Sequence, residues 1–119
     1  MSKEIQVMVS EIGMEPYMAK VSNYRHYFRL LNCITFDVVR VIWKGHNISL
    51  FVDDEGLMKP NLGRDVIYDD TSGETTPLFG TIVVTGDVDE DGETLGKPDE
   101  LSMDEIMKFI SEPKYQTNM

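Results

Sequence analysis

The chain has a single cysteine, Cys33. One cysteine cannot form an internal disulfide or a cysteine-built zinc site, and it suits a reducing compartment. Histidine is almost as scarce, with only His26 and His46. A nucleophilic Cys33 would need one of these two as its base, and isolated histidines seldom build a metal centre. The simpler reading of Cys33 is a small apolar residue between a helix and a strand. Positive charge is also in short supply. Eleven Lys and Arg stand against 21 Asp and Glu, a net charge of −10. Phosphate backbones demand clustered cations, so direct nucleic-acid binding is not expected. Long apolar runs are missing too. The longest such stretch, residues 34–43, contains Asp37 and Arg40 and falls far short of the ~20 residues that cross a bilayer. Residues 1–6 carry no apolar signal-peptide region, which sets the expectation of a cytoplasmic protein. Residues 80–86 are not a phosphate loop, since a β-branched run fills the space between the glycines and no Gly-Lys-Ser/Thr follows. Nucleophile-elbow and dinucleotide fingerprints are absent as well. The expectation is a protein that is not an enzyme and carries no cofactor.

What is present is a globular composition, 41% hydrophobic and 27% charged over 119 residues. It predicts one α+β domain over residues 1–113 and a flexible tail over 114–119. Residues 5–9 and 17–21 read as strands joined by a loop over 11–15. Ser22 and Asn23 are N-cap residues, and Tyr24, Tyr27, Phe28 and Leu31 follow at helical spacing, with Asn32 as the stop. Residues 34–43 read as a strand with two apolar faces, placed centrally in the sheet. A turn at residues 44–47 leads to a partner strand over 48–52. Residues 53–79 look irregular, with one short strand at Val66, Ile67 and Tyr68. Residues 80–86 form the clearest strand signal. Ser102 and Glu105 make a capping-box pattern, and Met103, Ile106, Met107 and Ile110 predict a second helix ending near Pro113. The expected architecture is a two-layer sandwich. It has a mostly antiparallel sheet of five to six strands with two short helices on one face.

The acidity is local. Residues 87–105 hold nine acids against Lys97 alone, a net of −8. Asp87, Asp89 and Asp91 followed by Gly92 match the opening half of a calcium loop, but Pro98 stands where the closing glutamate belongs. The cluster also suits a docking patch for a basic partner. A solvated loop that feeds acids into the last helix's amino end is the plainest alternative. Asp53, Asp54 and Glu55, at a strand end, are a second candidate for a divalent ion, with a tight solvated turn as its plain counterpart. Met8, Met14, Met18 and Met58 are candidates for an adaptable surface, though core filling is the commoner use.

A set of short motifs runs in a familiar order. Glu15-Pro16-Tyr17 is followed by Asp54-Glu55-Gly56, Pro60-Asn61, the glycine-led strand at Gly80, and Leu101-Ser102 with Glu105-Ile106. This resembles the domain-of-unknown-function family 3846. In that family's pattern an asparagine lies two residues after the proline, with an arginine next. Here Asn61 directly follows Pro60 and Arg64 comes later, so no role is carried over to Arg64. The resemblance supplies no activity. It implies a small accessory protein of bacteriophages or mobile elements. The expectation is a protein that binds and inhibits or redirects a host protein with a basic surface, such as a defence nuclease. Partner contacts would come from Asp87, Asp89, Glu90, Asp91 and Glu93, with Asp54, Glu55 and Asn61 as a second region. The alternatives are a small-ligand or divalent-metal domain built on the Asp/Glu loops, and a structural homo-oligomer joined by an edge strand.

Overall fold

The computed structural model describes residues 4–56 and 62–116. In chain order the elements are β1 (Ile5–Ser10), β2 (Tyr17–Val21), α1 (Tyr24–Leu31), β3 (Phe36–Trp43), β4 (His46–Asp53), β5 (Leu62–Asp69), β6 (Glu74–Phe79), β7 (Ile82–Thr85), α2 (Met103–Met107) and β8 (Tyr115–Gln116). They form an eight-stranded sheet in the order β2-β1-β7-β4-β3-β5-β6, with β8 on β5. The strand pairs are antiparallel except for β3 with β5, which is parallel. The expected five to six strands therefore become eight. Pro77 lies in β6, an edge strand, where its missing N–H disturbs no ladder. β8 takes up part of the expected tail: Tyr115 pairs with Gly63 and Gln116 with Leu62.

The helices do not share a face. Val7, Val9, Phe51 and Val83 point to one side, where they pack with Tyr27 and Leu31 of α1. Met8, Ile48, Leu50, Val52, Ile82 and Val84 point to the other side, where they pack with Ile106 of α2 and with Phe109 and Ile110. The reason is the period-2 alternation of a strand. β1, β4 and β7 are apolar at consecutive positions, so both of their faces need a cover. Val66 of β5 and Leu78 of β6 join the α2-side core, so the β5–β6 hairpin helps to close that face. Arg64 fixes the closure. Its Nη1 donates to Ser10 Oγ at 2.7 Å, and its Nη2 donates to the carbonyls of Ser10 at 3.0 Å and Gly80 at 3.1 Å.

Local sequence explains the ends of the elements. Asn23 Oδ1 accepts from the Arg25 N–H at 2.9 Å and starts α1, and Asn32 ends it in the left-handed region at φ 51°. Lys44 and Gly45 both have positive φ, 49° and 79°, as a two-residue hairpin turn of primed type requires, so His46 already belongs to β4. β3 is less central than its two apolar faces suggest. Its register with β5 consists of Ile42 opposite Asp69, and Val38 and Ile42 remain exposed. α2 is shorter than expected. The Ser102 hydroxyl accepts from the Glu105 N–H at 3.1 Å. The Glu105 carboxylate instead takes the Trp43 Nε1–H and pairs with Lys44 and Lys108, so the capping box is half formed. Ile67 N–H donates to the Phe109 carbonyl at 2.9 Å, and Ser111 N–H donates to that of Asp65 at 2.8 Å. Pairing with β5 draws these residues out of helical geometry before Pro113.

Candidate functional site: an acidic loop beside an apolar groove

After β7 the chain makes a narrow excursion and returns. Gly86 N–H donates to the Leu95 carbonyl at 2.9 Å, Leu95 N–H to that of Asp87 at 2.8 Å, and Asp89 N–H to that of Glu93 at 2.8 Å. The returning strand then crosses close to β1, with Lys97 N–H donating to the Gln6 carbonyl at 2.8 Å. Gly96 is required there. A Cβ at this position would stand 2.9 Å from the Gln6 carbonyl oxygen. The stem of the loop is therefore anchored to the sheet.

The five acids of this loop do different things. Asp87 Oδ1 accepts from Val88 N–H at 2.7 Å and lies 3.9 Å from Arg40 Nη1, while Asn47 Nδ2 donates to Oδ2 at 3.3 Å. Asp89 builds the tip: its Oδ1 accepts from the N–H groups of Asp91 and Glu93, both at 2.9 Å. Gly92, at φ 82°, completes the turn. Glu90, Asp91 and Glu93 are exposed, and their carboxylates have no partner among the described residues. Asp89 Oδ1 is taken by these two backbone donors, and among the described residues Asp87, Asp89 and Asp91 do not gather their carboxylate oxygens into one cluster.

Between this loop and the amino end of α1 lies a groove of about 350 Å³. Ile5, Val21, Tyr27 and Leu95 give it an apolar floor and walls, and Asp89 and Glu93 stand on its rim. Leu95 is 46% exposed and Tyr24 70% exposed. Tyr24 was expected on the buried stripe of its helix. Instead Tyr27 and Leu31 are buried and Tyr24 lies at the groove's mouth. Burial pushes the Tyr27 hydroxyl up to about 12, so it stays neutral.

The second acidic region is separate. Asp53, Asp54 and Glu55 bring carboxylate oxygens within 4.8 Å of one another, the one such group among the described residues. Thr35 Oγ1 donates to Asp54 Oδ1, and Glu55 N–H donates to Asp53 Oδ1 at 2.9 Å. The trio sits at the far end of β4 from Asn47 and Asp87. At ~3.3 Å per residue the six steps from Asn47 to Asp53 cover about 20 Å along the strand, so the two regions do not make one surface. Asn61 and Met58, also singled out from sequence, lie outside the described residues. Cys33 is partly buried against the α1-side core, as a small apolar residue between helix and strand should be.

The model of the family described as Domain of unknown function (DUF3846) matches residues 5–111. The chain belongs to the DUF3846 family. The match spans β1 through Ser111, so it takes in both sheet faces, the acidic loop and the groove, and stops short of β8. No curated protein and no solved structure matches the chain. Sequence reasoning found the charge of this site but missed its apolar half. Ile5, Val21 and Leu95 come from three separate segments, and nothing local to any of them signals that they meet. It also missed Arg64, which is only 3% exposed and which burial pulls down to about 10 while leaving it charged at neutral pH.

Proposed function

We propose that the protein is a binding module that captures a basic surface on a partner protein by contact, with no bond made or broken. The supporting observation is the orientation of the acidic loop. Its stem is pinned to β1 and β7 and its turn is held by Asp89, so Glu90, Asp91 and Glu93 are presented to solvent on a fixed support. A preorganised charge of one sign raises the rate of encounter with a complementary surface and loses little entropy on binding. In the phage or mobile-element setting that the family resemblance implies, the partner is a host protein in the bacterial cytoplasm, for which a defence nuclease is a fitting example.

The test is binding of a fluorescent hexalysine peptide at two salt concentrations. Replacing Glu90, Asp91 and Glu93 together by Lys should weaken binding about tenfold or more at low salt. Asp89 is left in place because its side chain builds the turn. Replacing Asp53 and Asp54 by Asn should change little. Equal weakening by both variants, or by neither, defeats the reading.

The convergence of Asp53, Asp54 and Glu55 within 4.8 Å favours one second reading, a divalent-ion site at that turn. Calorimetry with calcium, magnesium and manganese separates the two. Heat at one ion per chain that disappears in Asp54→Asn supports the ion site.

A further inference from the structure

The groove beside the acidic loop combines three features. It has an apolar floor of Ile5, Val21 and Leu95, carboxylates of Asp89 and Glu93 on the rim, and the exposed ring of Tyr24 at the mouth. Only one oxygen of Asp89 is taken by the loop's own N–H groups, and Oδ2 has no partner among the described residues. The amino end of α1 contributes about half a positive charge to the same groove. Two full carboxylates outweigh it, so the rim favours a cation. The floor favours an aliphatic neighbour.

Resting on the reading of the protein as a binder of basic surfaces, we propose that this groove receives an extended partner segment in which an arginine is flanked by apolar residues. The guanidinium lies between the Asp89 and Glu93 carboxylates and against the Tyr24 ring, and the neighbouring aliphatic side chain rests on Ile5, Val21 and Leu95. Arginine is chosen over lysine for a physical reason. A planar, weakly hydrated guanidinium can face an aromatic ring and donate to carboxylates at once, whereas an ammonium is a compact, strongly hydrated point charge. A phosphate-bearing ligand is disfavoured by the same two carboxylates.

The experiment uses the full chain, isotope-labelled, titrated with three capped tripeptides: Leu-Arg-Leu, Leu-Lys-Leu and Leu-citrulline-Leu. Citrulline keeps the shape of arginine and removes its charge. The arginine peptide should bind about tenfold tighter than the citrulline peptide and should also exceed the lysine peptide. Amide shifts should centre on Tyr24, Gly92 and Leu95. Tyr24→Ala, at an exposed position, should lower affinity for the arginine peptide roughly two- to fivefold. Equal binding of the arginine and citrulline peptides overturns the proposal, as do shifts centred on residues 53–55. Either result leaves the hexalysine test standing, so failure of the groove and failure of the binding-module reading are separate outcomes.

Discussion

On one side of the sheet, thirteen buried residues gather under α2, the β5–β6 hairpin and the chain after α2; on the other, seven gather under α1 among the described residues. The larger core is sealed by several elements of distant sequence and fixed at its rim by Arg64. The smaller has one eight-residue helix as its lid, with the apolar groove beside its first turn. The difference suggests a division of labour. The α2 side carries the larger core, and the α1 side, less fully covered, leaves the groove beside it open, which is where the proposed partner contact lies.

Truncating the centre of the larger core should have the largest effect. Phe109 is 1% exposed and packs against Trp43 with ring centroids 5.1 Å apart. Phe109→Ala should cost about 3–5 kcal/mol in urea unfolding. Leu31→Ala, on the α1 side, should fall near the bottom of the range for its type, at about 2 kcal/mol, because a thin lid can settle into the space left behind. A greater loss for Leu31→Ala would reverse the comparison. Arg64 comes next. Arg64→Met removes the donors from the Ser10 hydroxyl and from the carbonyls of Ser10 and Gly80, and leaving buried acceptors unpaired should cost about 2 kcal/mol.

A smaller effect, visible through pH, belongs to Glu105. The nearby Lys44 and Lys108 ammonium groups, with help from the Trp43 N–H, hold its carboxyl at about 2, below its ordinary 4.5. A carboxyl lowered on folding adds stability that is fully present above its unfolded pKa. That stability drains away as pH falls from about 4.5 toward 2. The melting temperature should therefore decline over this window more steeply for the parent than for Glu105→Gln. Parallel curves would show that the Glu105 pairs on the α2 side add nothing to its hold on the fold.

Legibility followed the range of the signal. Strands β1, β2 and β7, the caps of α1 and the hydroxyl half of the α2 cap are written in runs of a few residues, and they appear where the sequence puts them. Features that depend on distant pairing do not show. β6 is disguised by Pro77, which is harmless only because the strand lies at an edge. α2 loses its last turn because residues 109–111 find β5. The side each helix covers cannot be read from either helix alone, since an amphipathic stripe says that a face is buried and not which sheet face buries it. The site divides in the same way. Charge density in residues 87–93 is visible at once, yet the sequence does not say that Asp87 turns back to Arg40, that one oxygen of Asp89 holds the turn, or that three other acids are left facing outward.

Those three acids set the smallest predicted effect on stability and the sharpest test of the two-sided picture. Glu90, Asp91 and Glu93 touch neither core, so replacing all three by Lys should move the unfolding free energy by no more than about 0.5 kcal/mol. The direction should, if anything, be favourable. The substitution removes like-charge repulsion from a segment carrying a net of −8 and breaks no pair among the described residues. The same variant is expected to lose about a factor of ten in hexalysine binding at low salt. Stability and binding should thus come apart at this loop, whereas at Phe109 the fold fails first. If the triple variant unfolded as readily as Phe109→Ala, the loop would be part of the scaffold. The α1 side could then no longer be treated as surface left free for a partner.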